Sequence, residues 1–121
     1  MSEILNSKHY DLEERTFLFA KRVRAFIKKI PITLSNIEDS KQLTKASGSV
    51  GANYIEANES LSKKDFVFRI KICRKEAKES KYWLGLLDLN NDIILEKECS
   101  ELISEAEELT KIFGSILVKS T

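Results

Sequence analysis

Turn-forming residues are scarce in this chain, which has one proline and four glycines in 121 residues. An all-β protein needs far more material for its turns, so Leu, Lys, Glu, Ile, Ala and Ser are left to build an all-α one. Histidine occurs once, at His9, and no base–nucleophile pair for covalent catalysis suggests itself. Two cysteines, Cys73 and Cys99, lack CxxC spacing and fall on apolar helical stripes, as free thiols do in a reducing compartment. Neither sign of charge is in excess. Twenty basic and 19 acidic residues leave a formal +1, so no global field draws the protein to nucleic acid or an anionic membrane. The start, MSEILNSKHYDLEERT, lacks the basic and apolar regions of a signal peptide, and no apolar run is long enough to span a bilayer. A soluble cytoplasmic protein is expected.

What is present is helical periodicity, in four segments that make one domain over residues 1–121. Leu12, Thr16, Phe19, Val23, Phe26 and Ile30 mark one face of a helix over about 11–30, capped by Asp11 and ended by Pro31. Ser35 or Asn36 opens a second helix, about 36–60, with Leu43, Ser47, Val50, Tyr54, Ala57 and Leu61 on a face. Ser60 or Ser62 starts a third, about 62–89, carrying Phe66, Ile70, Cys73, Ala77, Leu84 and Leu87 and stopping at the turn Asn90-Asn91. The fourth, about 94–118, repeats the pattern with Leu95, Cys99, Leu102, Ala106, Leu109, Phe113 and Ile116. Four helices with short connections predict an antiparallel up-and-down bundle.

Several apolar residues fall off these stripes: Phe17, Leu18, Ile55, Phe68, Ile72, Tyr82 and Leu86. A helix with two apolar faces has more to bury than one bundle core provides, which predicts self-association. The stretch KASGSVGANYIEANES adds a second sign of close contact. It lacks the lysine and the preceding strand of a phosphate loop, so Ala46, Ser47, Gly48, Gly51 and Ala52 read as a helix face that admits a neighbouring backbone. Each glycine costs about 1 kcal/mol of helix propensity, and close packing within the bundle or between subunits must offset it.

KASGSVGANYIEANESLSKKDF and KEAKESKYWLGLL, in that order and spacing, resemble the bacterial four-helix bundle family named after the 23S rRNA intervening-sequence protein. The matching positions include Gly51, Ala52, Asn53, Glu56, Ser62, Asp65, Phe66, Glu76, Glu79, Tyr82 and Trp83. The resemblance implies a homo-oligomer, by analogy a pentameric ring, and brings no enzymatic activity with it. The family also looks similar to the accessory variability proteins of diversity-generating retroelements, basic pentamers that bind nucleic acid. The near-neutral charge of this chain departs from that relative.

Charge is nonetheless uneven. Residues 8–30 hold seven basic against three acidic residues and residues 61–90 eight against four, whereas residues 91–121 hold seven acidic against three basic. Lys71, Arg74, Lys75 and Lys78 follow one another along the third helix as a candidate stripe for RNA or DNA phosphates. The plainer alternative is a solvated face balanced by the acidic fourth helix. Glu56, Glu59, Glu76 and Glu79 form two ExxE pairs, but a di-metal site wants ExxH, and Glu56 and Glu76 differ in height by roughly 15 Å at 1.5 Å per residue. Asn53, Glu56, Asn58, Glu76 and Glu79 therefore read as polar contacts fixing register between helices or subunits, alongside Gly48, Gly51, Tyr82 and Trp83. Trp83 beside Tyr82 could instead stack a nucleobase, although a tryptophan at helical spacing is more often core or interface.

The sequence thus predicts a non-enzymatic homo-oligomeric bundle with a binding or scaffolding role, no cofactor, no metal and no small-molecule substrate. Its alternative is a nucleic-acid-binding accessory protein using the basic first and third helices. A carboxylate-metal enzyme is the third class.

Overall fold

A computed structural model describes residues 12–120. Four helices follow one another: α1 (Leu12–Ile27), α2 (Leu34–Asn58), α3 (Lys63–Leu86) and α4 (Ile93–Ser120), with no strand among the described residues. The core is where the sequence stripes converge. Phe19, Val23 and Phe26 of α1 meet Leu43 and Val50 of α2, Ile70, Cys73, Ala77 and Leu84 of α3, and Leu102, Ala106, Leu109 and Phe113 of α4 in one buried cluster. Fully burying each large side chain contributes about 1.5–3 kcal/mol, so this cluster dominates the cohesion of the fold. Tyr54 tilts against Phe113 at 5.9 Å between ring centres.

Small and polar residues in the core are there for geometry. A Cβ placed on Gly51 would lie 2.8 Å from Thr16 Oγ1 and 3.2 Å from Thr16 Cβ, so α1 and α2 approach as closely as they do because Gly51 has no side chain. Thr16 itself is fully buried and donates its hydroxyl to the carbonyls of Leu12 and Glu13, both at 2.9 Å. The glycine's propensity cost is offset at this crossing.

Helix ends depart from the periodicity. α2 begins at Leu34, two residues before the expected start, because Thr33, not Ser35 or Asn36, caps it, its hydroxyl accepting the Asn36 N–H at 3.1 Å. α1 ends at Ile27, and residues 28–30 form a turn ahead of Pro31, although Ile30 still points into the core. Leu61, expected on the buried face of α2, lies past that helix's end at Asn58 and is 98% exposed. Ser62 caps α3, accepting the Asp65 N–H. Asn90 and Asn91 adopt left-handed backbone angles (φ 55° and 60°) that asparagine tolerates better than most residues, and Asp92 then accepts the N–H groups of Ile94 and Leu95 to start α4. Asp11, the expected cap of α1, and His9 lie outside the described residues.

Side-chain pairs between helices run in opposite numerical order. Along the α1–α4 seam Arg15 meets Glu105, Arg22 lies 4.0 Å from Glu101 and Lys29 meets Glu98. Between α2 and α3, Asn53 pairs with Arg69, while Asn36 pairs with Asp88 just past α3.

One residue ties the two connections at this end together. Asn36, 2% exposed, donates through Nδ2 to the carbonyls of Pro31 (2.9 Å) and Asp88 (2.8 Å) and accepts the Asp88 N–H at 2.9 Å. Its amide thereby satisfies backbone groups from both the α1–α2 and α3–α4 linkers.

Candidate functional site

Two surfaces stand out once the core is accounted for. The first is an apolar groove of 380 Å³ between α1 and α2, lined by Phe17, Ala20, Gly48, Gly51, Ala52 and Ile55 with Glu13, Lys21 and Arg24 at its rim. The shaved face of α2 forms its floor, and the off-stripe residues Phe17 (59% exposed) and Ile55 (49%) form its walls. Lys21 Nζ stands 6.0 Å from the Phe17 ring centre. Gly48 faces Arg24, whose guanidinium would be 3.2 Å from an added Cβ.

The second is a basic groove of 340 Å³ between α3 and α4, lined by Lys71, Arg74, Lys75, Lys78 and Leu117. The sequence brings these together at helical spacing, and α4 supplies nothing acidic opposite them. From Leu109 to Ser120 its only charged residues are Lys111 and Lys119. A Cβ on Gly114 would lie 3.9 Å from Arg74 Nε, so the guanidinium lies across that stretch. The acidic part of α4 is engaged elsewhere. Arg15 takes Glu105 through two hydrogen bonds (2.7 and 2.9 Å) and sits 3.8 Å from Glu108, Lys29 holds Glu98 at 2.7 Å, and Lys81 holds Glu107 at 2.7 Å. The Glu105 contact raises the Arg15 pKa, and the Lys81 contact lowers that of Glu107. Among the described residues Lys71, Arg74 and Lys78 have no carboxylate within 4.0 Å, while Lys75 stands 3.6 Å from Glu76. Charge balance by α4, the plainer reading of the stripe, therefore applies to α1 and Lys81 and leaves this groove out.

The polar residues singled out in the sequence divide by place. Asn53 donates to Ser49 O and accepts from Arg69 Nη1 at 3.0 Å, and Glu56 lies 3.8 Å from the same guanidinium, so Arg69 bridges α3 to α2. Asn58 donates to Glu13 Oε2 at 2.8 Å across the α1–α2 seam. Among the described residues the carboxylate of Glu76 pairs only with Lys75 of its own helix, at 3.6 Å. Its burial, followed by the nearby charge of Glu79, raises its pKa against the opposing effect of Lys75. Glu56 and Glu76 thus pair with different cations, and no three potential metal ligands converge among the described residues.

Tyr82 and Trp83 also separate. Trp83 packs against the core, whereas Tyr82 is 61% exposed, its ring edge-on to Trp83 at 5.1 Å and 76°. Both thiols are buried, which pushes Cys73 up to about 12 and Cys99 up to about 11, and Cys99 Sγ donates to Leu84 O at 3.4 Å. No described helix is long and apolar enough to cross a membrane. Sequence reasoning missed the Asn36 clasp and Thr33; a threonine three residues before the Asn36 N–H was the available signal for the latter.

The family model described as 23S rRNA-intervening sequence protein matches residues 8–115. No curated protein matches the chain. Among solved structures, it is similar to a protein of unknown function from the S23 ribosomal protein family of Bacteroides thetaiotaomicron VPI-5482, with 28% identity and a TM-score of 0.73. The match covers 87% of this chain and 96% of that one.

Proposed function

The chain belongs to the 23S rRNA-intervening sequence protein family, and from that premise we propose that it is a non-enzymatic assembly protein. In this reading it is an antiparallel up-and-down bundle whose copies close into a homo-oligomeric ring with a binding or scaffolding role. The reversed order of the interhelical pairs supports the antiparallel arrangement. The observation that carries self-association is the α1–α2 groove, where large apolar side chains stand exposed beside a face of glycine and alanine. Contiguous apolar surface of this kind marks a contact site. A groove accepts a different patch of the neighbouring copy, a head-to-tail contact that closes into a ring, and the family resemblance suggests five subunits. Two buried free thiols support a cytoplasmic setting. Sedimentation of Phe17→Glu and Ile55→Glu tests the groove: both variants should lose assembly while keeping wild-type helical circular dichroism. Intact assembly in both would overturn it.

A second reading, nucleic-acid binding, is favoured by the basic groove. Three cations with no carboxylate partner among the described residues, beside a fourth and with no acid on the facing stretch of α4, form a local positive field despite a net charge of only +1. Ring symmetry would repeat it around the assembly. Four phosphate contacts per subunit predict affinity that falls with salt at a slope of about −3 in log–log form. A flat salt response would remove this reading.

A further inference from the structure

We infer that the outer face of α3 binds single-stranded nucleic acid, with Tyr82 as a stacking platform at one end of the basic groove; this rests on the nucleic-acid reading above. Lys71, Lys75, Lys78 and Tyr82 follow one another at spacings of four, three and four residues, which sets them on one helical face. Phe68 precedes Lys71 by three and extends the same line. From Phe68 to Tyr82 the face runs roughly 21 Å at 1.5 Å per residue. Cations along its middle and exposed aromatic rings at both ends are the two parts a single-strand site needs, a track for the backbone and π-faces for bases.

The two rings are not equivalent. The Arg69 guanidinium stands 5.7 Å over the Phe68 ring and occupies one of its faces. Tyr82 meets Trp83 edge-on, and Trp83 is anchored against the core, so the tyrosine ring is held in orientation with more than half its surface open. Trp83 is thus a positioning residue, and Tyr82 is the residue that touches the base. A duplex hides its base faces within the stack and offers Tyr82 nothing to stack on. The site therefore selects single strands over duplex at equal phosphate number. Stacking is sequence-tolerant, so the face reads no particular base.

The test uses the full chain and fluorescein-labelled strands of about 20 nucleotides, as RNA and as DNA, each alone and annealed to its complement, read by anisotropy at about 50 and 200 mM salt. Polyglutamate serves as a non-stacking polyanion. Single strands should bind more tightly than duplex and weaken about 50-fold across that salt range for four phosphate contacts. Tyr82→Ala should weaken single-strand binding about 5- to 150-fold and leave duplex unchanged, while Tyr82→Phe should retain it. Arg74→Glu with Lys78→Glu should abolish binding of both. Duplex binding equal to single-strand binding, indifferent to Tyr82→Ala yet lost in Arg74→Glu, would overturn the inference and leave the phosphate reading standing. Polyglutamate binding as well as RNA would overturn it in favour of an acidic protein partner. No binding by any strand would end both. Light scattering of Tyr82→Ala should give the wild-type mass; a fall in mass would make Tyr82 a subunit contact and refute the assignment.

Discussion

Replacing Asn36 with alanine should cost more than any single surface change in this protein. The amide makes three hydrogen bonds, to Pro31 O, Asp88 O and Asp88 N–H, at a position almost wholly removed from water. A net contribution of about 1 kcal/mol per bond gives about 3 kcal/mol, and the three backbone groups left behind make that a lower figure rather than an upper one. With an unfolding entropy of about 2.1 cal/mol/K per residue, the melting temperature should fall by about 12 °C. Urea denaturation at fixed protein concentration is the assay, with the midpoint expected to drop and the slope to stay constant. Asn36→Asp sharpens the test, since it keeps the acceptor for Asp88 N–H but sets a carboxylate against two carbonyl oxygens. It should be at least as destabilised as the alanine variant at neutral pH and partly recover in acid, when the carboxyl can donate again. A loss under about 0.5 kcal/mol for Asn36→Ala would place it among ordinary surface substitutions and refute the clasp.

The two glycines of α2 should respond with opposite signs. Gly51→Ala meets Thr16 and should lose about 1 kcal/mol, overpacking of about 1–3 kcal/mol outweighing the propensity gain of about 1 kcal/mol. Gly48→Ala meets only the flexible end of Arg24 and should gain up to about 1 kcal/mol; thermal melts shifting the same way for both would contradict the close crossing. Glu76 has a folded pKa raised by burial and Glu79, so the folded state holds its proton more tightly than the unfolded one. Stability should therefore increase as pH falls from neutral through that raised value, and Glu76→Gln should flatten this part of the profile; an unchanged profile would show that burial does not act on this carboxyl. Cys73 and Cys99 should react with a thiol reagent only after denaturation, and rapid reaction of either in the native protein would contradict their burial.

Periodicity made the core legible because burial on a helix repeats every three or four residues. Phe19, Val23, Phe26, Leu102, Leu109 and Phe113 could be read directly from spacing, and each is buried. Leu61 shows the limit, since a stripe does not reveal where its helix stops. Asn36 shows another: a buried amide serving two linkers depends on residues 52 positions apart, which no local pattern contains. Charge followed the same division. The basic and acidic helices were visible by counting, but which acid meets which base depends on topology. α4 acids pair with Arg15, Lys29 and Lys81, and among the described residues Lys71, Arg74 and Lys78 are left without a carboxylate partner. Tyr82 and Trp83 were adjacent candidates in the sequence, and only the rotation of α3 separates the anchored ring from the open one.

Native mass by light scattering, with the absorbance ratio at 260 and 280 nm recorded across the same peak, tests self-association most directly. The account predicts a single species at an integral multiple of the 13.9 kDa chain, five by family resemblance, unchanged between low and high salt. A monomer at both salt concentrations would contradict it, leaving Phe17 and Ile55 exposed on a lone bundle.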